Sequence, residues 1–342
     1  MRRELRRSLA AALVLTGVAT LVGCGGAMSG APRRTLPALV DPPRRAGRAL
    51  ILIAMPEGEA FRSARGAILG ELAKDYDVAT FVISSATTAK EFGARVSQLS
   101  PSCLVLMDNS SVSLLRSLQR QGDRALPPAV VLMAAFLREI KGNLANLAGV
   151  VYEVPGITAF LQLRAIVAKP VNRVGVIHRP TFANFVERER ALAQKEQFTL
   201  VPIQVPRDPS VDDIHQALDD LRGLNVDAIW VLNDSGLIRD TAFFQAAWLE
   251  SAPQLGVPII VNVSSLIDPS LQFGTIGILP DHEALGTQAA NLVLDLADAD
   301  WKLDESAIEL PTSTITIVDM SQVNSRFELA KDAQRRIDKA LE

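Results

Sequence analysis

The sequence predicts an α/β fold of two doubly wound parallel-sheet lobes with a ligand cleft between them. β-rich and helix-patterned runs alternate from Arg48 onward, which is typical of parallel sheets with right-handed crossovers. The pattern restarts mid-chain, because 174–177 leads into 184–197 as 49–54 leads into 61–74. Apolar residues make up 48% of the chain but aromatic residues only 5%, so an aliphatic core of buried parallel strands is expected.

The same patterns place the individual elements. The candidate strands are 49–54, 78–83, 103–107, 129–133, 149–153, 173–177, 199–204, 228–232, 258–261 and 275–279. The candidate helices are 61–74, 88–99, 112–121, 183–197, 211–221, 240–249 and 282–297. The C-terminal part differs, and its predicted elements are a turn at 301–305, a β-rich run at 309–318 and a charged amphipathic helix at 321–342.

Residues 1–23 read as a bacterial export signal. Four arginines, at positions 2, 3, 6 and 7, precede an apolar run at 9–22 that is too short to span a bilayer stably. The run ends in Leu-Val-Gly before Cys24, which resembles the lipobox in which the cysteine is diacylated and becomes the first mature residue. The alternative is an ordinary signal peptide followed by an unrelated cysteine. Lipidation of Cys24 would leave Cys103, in an apolar run, as a buried strand residue.

Residues 24–47 form a predicted flexible tether. The segment is rich in glycine and proline, carries two arginine pairs and has no apolar periodicity, so it cannot bury enough surface to order itself. The body that begins near Arg48 is therefore expected to fold alone, as a monomer. Without the first 23 residues the chain has 31 basic and 37 acidic residues, a net charge of −6. This balance argues against nucleic acid as a partner.

Candidate ligand-binding residues follow from the rule that open parallel sheets bind ligands beyond the carboxyl ends of their strands. The first lobe contributes Phe61, Asp108, Asn109 and Ser110, the second His178, Asn184, Asn233, Asp234 and Ser264, and the point where the chain crosses between lobes Tyr152 and Glu153. Asp, Asn and Ser at such positions also cap the following helix, so capping and ligand contact both remain open.

Motifs of the common enzyme classes are missing from the sequence. It contains neither a Walker-type or dinucleotide-type glycine loop nor a G-x-S-x-G or H-E-x-x-H motif. Its three histidines, His178, His215 and His282, lack the spacing of zinc ligands. A binding protein without catalysis, cofactor or metal is the prediction.

Several segments stand in an order that resembles a known family. They are 149–155 (Gly-Val-Val-Tyr-Glu-Val-Pro), 174–177, 226–234, 256–260 and the helix carrying Leu285, Gly286, Ala289 and Ala290. The chain is similar, over about 48–330, to the ABC-transporter substrate-binding family that includes tryptophan- and tyrosine-binding lipoproteins. The resemblance implies the type I periplasmic binding fold, in which the chain crosses between lobes three times. Lobe one would comprise 48–153 and 281–304, and lobe two 154–280 and 305–342.

The resemblance implies a lipid-anchored receptor on the periplasmic face of a membrane that delivers a small, partly apolar ligand to ABC permease subunits. An aromatic amino acid would need an acid for its amine, from Glu153, Asp108 or Asp234, whereas a lipid-like ligand would need none. The chain departs from the family after two first-lobe strands, at 107–109 and 134–138, so ligand identity does not carry over. Gly25 permits outer-membrane attachment, although a receptor serving a permease must reach the inner membrane. The alternatives are a sensory receptor of the same fold, an exported hydrolase and a lipoprotein that has lost ligand binding.

Overall fold

A computed structural model of the chain describes residues 44–122, 126–303 and 307–342. The predicted signal segment, Cys24 and most of the predicted tether lie outside the described residues. The strands are β1 (Leu50–Pro56), β2 (Asp77–Ile83), β3 (Cys103–Met107), β4 (Ala129–Leu132), β5 (Leu147–Val150), β6 (Arg173–His178), β7 (Thr199–Gln204), β8 (Ala228–Val231), β9 (Ile259–Val261), β10 (Ile276–Pro280), β11 (Ile308–Glu309), β12 (Thr314–Asp319) and β13 (Lys339–Leu341).

Helices separate most of the strands. They are α1 (Glu59–Leu72), α2 (Ala89–Leu99), α3 (Asn109–Gln121), α4 (Leu137–Lys141), α5 (Gly156–Ile166), α6 (Ala183–Lys195), α7 (Val211–Gly223), α8 (Thr241–Phe244) and α9 (His282–Asp298). α8 continues into a π-helical turn, Gln245–Leu249. Thr88 and Ser210 begin α2 and α7 with capping boxes, in which the cap side chain and the acid three residues later bond each other's backbone N–H groups. The predicted alternation of strands and helices is confirmed.

The first sheet has the strand order β11-β5-β4-β3-β1-β2, and every pair in it is parallel. Helices α1 and α9 cover one face and pack against each other, while α2 and α3 cover the other face. Gly286 of α9 lies against the backbone of α1, since a Cβ atom at this position would stand 2.2 Å from the carbonyl oxygen of Ala64. The close approach of these two helices therefore requires glycine.

The second sheet has the strand order β13-β12-β10-β9-β8-β6-β7. Its pairs are parallel except for β10 with β12, which are antiparallel. Helices α5 and α6 pack on one face, and α7 with the π-helical turn packs on the other. Both sheets are thus covered on two faces, which explains why their strands read as continuous aliphatic runs.

The chain passes between the sheets three times. The crossings are residues 151–155 from β5 to α5, Asp281 from β10 to α9, and residues 310–313 from β11 to β12. Each crossing leaves the carboxyl end of a parallel strand. The carboxyl edges of the two sheets are therefore turned toward each other. Among the described residues, no helix is long and apolar enough to span a membrane.

The predicted helix at 321–342 is wrong. The segment contains the 3₁₀ turns Met320–Gln322 and Ala333–Arg336 and ends in β13. Its backbone bonds to other elements instead of to itself, because Ala168 N donates to Glu328 O, Ala330 N donates to Ile166 O, and β13 pairs with β12. Buried Phe327 and Ala333 anchor the segment beside α5. Backbone hydrogen bonds to other elements therefore outweigh the tendency of this amphipathic segment to form a helix.

The C-terminal part is also divided between the sheets in a way that the sequence did not indicate. β11 pairs with β5 in the first sheet, whereas 305–342 was expected to lie wholly with the second. Pairing with β11 gives hydrogen-bond partners to backbone groups at the outer edge of β5. The N–H of Gly149, for example, donates to the carbonyl of Ala307. The remaining lobe boundaries stay a prediction.

Candidate functional site

The facing carboxyl edges of the two sheets meet at an aromatic contact. Phe136 follows β4 of the first sheet, and its ring lies 4.1 Å, centroid to centroid, from that of Phe182, which follows β6 of the second sheet. Phe185 of α6 meets the same ring edge-on at 5.2 Å. This contact joins the two sheets beside the first crossing segment, where Glu153 accepts a hydrogen bond from Phe136. The strand ends on either side of it form the candidate site.

Tyr152 lies in the first crossing segment and is only 4% exposed. Its hydroxyl is 3.1 Å from Nε2 of His282, the first residue of α9, and the two rings are parallel within 2°. Burial lowers the pKa of His282, and neighbouring Asp281 opposes that shift. The pair therefore joins the first crossing to the second with an uncharged imidazole at neutral pH. Tyr152 is held at the junction of the sheets, and a ligand-binding role for it stays a prediction.

Glu153 follows Tyr152 and links the same crossing to the first sheet. Its Oε1 accepts a hydrogen bond of 2.5 Å from the backbone N–H of Phe136. Burial raises the pKa of Glu153 to about 7, and the bond from Phe136 only partly offsets this. The side chain is thus about half ionised near neutral pH, and one of its oxygens already accepts a hydrogen bond from Phe136.

Asp234 follows β8 and is 1% exposed. Its carboxylate accepts two hydrogen bonds from Arg179, 2.7 Å from Nε and 2.5 Å from Nη2, and a third of 2.9 Å from the N–H of Gly236. Arg179 also donates to the carbonyl of Arg207. A Cβ atom at Gly236 would stand 2.1 Å from the Arg179 guanidinium carbon. The pair of Arg179 and Asp234 therefore holds together the three loops that follow β6, β7 and β8.

Asn233 immediately precedes Asp234 and has a different environment. It is half-buried, and its side-chain amide forms no hydrogen bond with any other described residue. An amide both donates and accepts, and at this position it emerges from the carboxyl end of a central strand. Of the predicted site residues in the second sheet, Asn233 has the side chain best placed to bind a ligand.

Asp108 ends β3 and caps α3. Its Oδ1 accepts from the N–H groups of Ser110, at 2.8 Å, and Ser111, at 3.0 Å. Its backbone adopts the left-handed φ of 81°, and burial raises the pKa of its carboxyl. Asn109 and Ser110 are exposed in the first turn of α3. The capping role of Asp108 is established, while ligand contacts by these three residues stay a prediction.

The other predicted site residues are dispersed. Phe61 is buried against the first sheet in the core of α1, and His178 is buried with its Nδ1 3.1 Å from the carbonyl of Arg179. Asn184 is exposed in the first turn of α6, and Ser264 is exposed at the start of the 3₁₀ turn Ser264–Leu266. Only Asn184 and Ser264 of these four have side chains open to solvent.

No protein-family model matches the sequence, and no curated protein matches it. Solved structures do match the fold. A ligand-free, open substrate-binding protein with adhesive properties from Clostridium difficile aligns with 86% of this chain and 99% of its own, with a TM-score of 0.63 at 13% identity. An ABC domain in complex with L-Trp from Streptococcus pneumonia aligns with 85% of this chain and 100% of its own, at 0.55 and 15%. An arabinose-binding protein from Geobacillus stearothermophilus covers 82% of this chain and 99% of its own, at 0.50 and 12%.

The chain has the type I periplasmic binding fold. In this fold the three crossings at 151–155, Asp281 and 310–313 form the junction on which two lobes sit. Side chains brace the crossings against one another. Gln288 of α9 donates to Glu309 Oε2 at 2.6 Å and to the carbonyl of Leu310 at 2.9 Å, and so ties the start of the third crossing to α9, the helix that follows the second.

Three further residues organise the periplasmic binding fold at the site, and two of them, Arg179 and His282, were not predicted as site residues from the sequence. Arg179 fixes Asp234, His282 partners Tyr152, and Asn262 accepts from Trp230 Nε1 at 2.7 Å while donating to the carbonyl of Ile278 at 2.9 Å. Arg179 and Asn262 both follow strands, so their position was a usable signal. Their partners lie 55 and 32 residues away along the chain, and no local pattern indicates such pairings.

Metal binding has no support in the described ranges. Within 44–122, 126–303 and 307–342, no group of three or more His, Cys, Asp or Glu side chains is arranged to hold a metal ion. Cys103 is a free, buried thiol in β3, and burial raises its pKa to about 12. It therefore remains protonated and unreactive at physiological pH.

Proposed function

We propose that this protein is an extracytoplasmic solute-binding receptor that captures a small molecule between two lobes and delivers it to an ABC permease. The observation that carries the proposal is the pair of parallel sheets whose carboxyl edges face each other across three crossings. Ligands of open α/β sheets bind beyond these edges. The similar solved structures that are named for binding a solute support the same role.

We propose that each sheet, with the helices that cover it, forms one lobe. Lobe one comprises 48–153, 281–304 and strand β11, and lobe two comprises 154–280 with the chain from β12 onward. Closure of the lobes over a ligand would be a hinge motion at the three crossings. The bonds from Tyr152 to His282 and from Gln288 to Glu309 keep the crossings together during such a motion.

We propose a neutral or weakly charged, partly apolar ligand. The three acids suited to hold a ligand amine are already engaged: Asp108 by helix α3, Glu153 by Phe136, and Asp234 by Arg179. Asn233 contributes an unpaired amide that can bind a polar end of the ligand. Of the two ligand classes, this arrangement favours a lipid-like molecule over an aromatic amino acid.

Attachment to the membrane through lipid on Cys24 is the second part of the proposal. It is supported by the arginines, the short apolar run and the small residue before the cysteine. Such an anchor would hold a monomeric receptor close to its permease by a tether of about 20 residues, long enough for the lobes to reorient. Two or more acyl chains are needed to keep a protein on a bilayer stably.

Native mass spectrometry of the full chain, purified from its own membranes, tests the receptor function. We expect a stoichiometric small molecule to be retained, and its release on partial unfolding. A protein that carries no molecule, and whose melting temperature does not respond to extracts of the source organism, would contradict the proposal. A retained amino acid would support a receptor but overturn the ligand class.

A further inference from the structure

A buried aromatic side chain of lobe one packs into the core of lobe two. Phe136 belongs to the loop between β4 and α4, yet its buried ring packs with the apolar cluster of α5 and α6. Its neighbours there are Phe182 and Phe185, at ring distances of 4.1 and 5.2 Å. If the lobes separated at this point, the rings of all three residues would be exposed to water.

The backbone at Phe136 is held in an unfavourable conformation. Its φ of 55° and ψ of 45° lie in the left-handed region, which is rare for a bulky residue. Three hydrogen bonds secure it: its own N–H donates to Glu153, and its carbonyl accepts from the N–H groups of Glu139 and Ile140. Beyond them an ion pair between Glu139 of α4 and Arg188 of α6 also joins the lobes. Glu153 is thus the side chain that positions the crossing loop.

Charged groups from both lobes face Glu153. Glu139 approaches from α4 and Glu189 from α6, and both carboxylates disfavour its ionisation. Arg188 is bonded to Glu139 and also favours the ionised form of Glu189. Glu189 is buried and accepts from the N–H of Gly156 at 2.7 Å, which leaves it in place beside the first crossing. A proton on half-buried Glu153 therefore relieves the repulsion from Glu139 and Glu189 that its ionised form would experience.

We propose that Phe136 and Glu153 form a proton-controlled latch between the lobes, which holds the cleft in its present arrangement and releases when Glu153 ionises. The latch comprises these two residues with Phe182, Phe185 and the Glu139–Arg188 pair. The inference rests on the proposed receptor function, since it describes how the ligand cleft opens. In a released state Glu153 reaches water and its charge is solvated, so ionisation favours release.

The size of the effect follows from proton linkage. Glu153 has an ordinary pKa of 4.5 when solvated and a pKa of about 7 when latched. The latched form thus binds the proton more tightly, and the ratio of latched to released protein falls about tenfold between pH 6 and pH 8. Protonation of Glu153 stabilises the latched form fully when the pH is below the pKa of the solvated side chain. This stabilisation is lost as the pH rises through about 7, the pKa of Glu153 in the latched form.

Hydrogen–deuterium exchange of the ligand-free full chain tests the latch without knowledge of the ligand. Rates are corrected for the intrinsic pH dependence of amide exchange. We expect the Phe136 amide to exchange about tenfold faster at pH 8 than at pH 6. The amides of the peptide covering 180–189 should also exchange faster at pH 8, because separation of the lobes exposes Phe182 and Phe185 to water. Phe136→Ala should accelerate exchange in 180–189 at both pH values.

Two variants make the test decisive. Glu153→Gln keeps an oxygen acceptor for Phe136 without a titratable proton, so its exchange should be slow and independent of pH. Glu57→Gln, at an exposed carboxyl of lobe one, should retain the wild-type profile. Equal corrected rates at pH 6 and 8 in the wild type overturn the latch. So does wild-type pH dependence in Glu153→Gln, or faster exchange at Phe136 without any change in 180–189. None of these results bears on whether a ligand is retained in native mass spectrometry.

Discussion

At the scale of single residues, two neighbours in the sequence have opposite roles. Asp234 is buried and saturated by Arg179 and Gly236, whereas the amide of adjacent Asn233 has no partner among the described residues. A buried ion pair with three hydrogen bonds shapes the loop. An open amide beside it is available for recognition. We propose that structural support by Asp234 and ligand binding by Asn233 are thus divided between two adjacent residues.

Replacing Asn233 by alanine should weaken ligand binding. Loss of one hydrogen bond to a neutral ligand group costs roughly 0.5–1.5 kcal/mol, about three- to tenfold in affinity. Calorimetric titration with the molecule identified by mass spectrometry measures the change, and the melting temperature should stay the same. Asn291→Ala, at an exposed position on α9, is the matched control. A loss of stability of about 1 kcal/mol with unchanged affinity would identify Asn233 as a structural residue instead.

Replacing Asp234 by alanine should destabilise the protein. The change leaves Arg179 without its carboxylate and the N–H of Gly236 without its acceptor, and removing one partner of a buried pair costs about 3 kcal/mol. Urea unfolding measures the loss. Arg222→Ala breaks the exposed pair with Asp219 on α7 and should change stability by less than about 1 kcal/mol. Equal effects of the two substitutions would show that the Asp234 pair contributes no more than a surface pair.

At the scale of elements, the closest approach in lobe one is between α1 and α9. Gly286 permits it, because any side chain there meets the carbonyl of Ala64 and the Cβ atom of Ala67. α9 enters lobe one directly from the second crossing, so its seating on α1 also fixes the position of His282. Packing far from the strand ends therefore influences the geometry of the site.

Replacing Gly286 by alanine should destabilise the protein by roughly 1–3 kcal/mol, since overpacking forces two helices apart. Gly70→Ala is the matched control, because Gly70 lies in α1 with open space around its Cβ position. That change should stabilise the protein by about 0.5–1 kcal/mol through the helix propensity of alanine. Thermal and urea unfolding compare the two. A gain in stability at both positions would mean that α1 and α9 are less closely packed than described.

At the scale of the whole molecule, two sheets, each covered by helices on both faces, are joined by three crossings. We expect the molecule to bend at these crossings. The crossings are short and are braced by Tyr152 with His282 and by Gln288 with Glu309. The lobes are internally rigid because each sheet is buried on both faces. Ligand-driven change is therefore expected as a rotation of one lobe against the other.

Small-angle scattering of the full chain should show a monomer whose radius of gyration decreases when saturating ligand is added. Closure removes the space between the lobes, so compaction is the direct consequence of capture. Phe136→Ala removes the ring that packs against lobe two. It should therefore enlarge the radius of gyration of the ligand-free protein and leave that of the closed, ligand-bound protein unchanged. An identical radius with and without ligand would argue against hinge closure.

Cys24→Ser should leave an uncleaved precursor that incorporates no labelled palmitate, because the proposed lipobox makes the thiol of Cys24 the acylated group. Fractionation of membranes and gel mobility measure both properties. Cys103→Ser is the control, since Cys103 is buried in β3 and should not affect lipidation. A Cys24→Ser protein that is processed and held on the membrane as the wild type is would show that the lipobox interpretation is wrong.

Most of the fold was predictable from the sequence, because local periodicity reports which residues face a core. The aliphatic runs that became β1, β3, β6 and β8 stand between helix-patterned segments, and the restart near residue 174 indicated two lobes. The strand ends that follow from this alternation include Asp108, Asn233 and Asp234. The N-terminal arginines, the apolar run and Cys24 predict a linear export and lipidation signal, and this prediction needs no tertiary structure.

Only the tertiary structure decided which strand-end groups remain open and which hold the molecule together. The pairing of Arg179 with Asp234 spans 55 residues, and that of Tyr152 with His282 spans 130. Residues 321–342 have a helical pattern, yet they form turns and the short strand β13, because the end of α5 and the edge of β12 offer their backbone hydrogen-bond partners. Such pairings depend on distances that exist only after the lobes have formed, so no local pattern in the sequence encodes them.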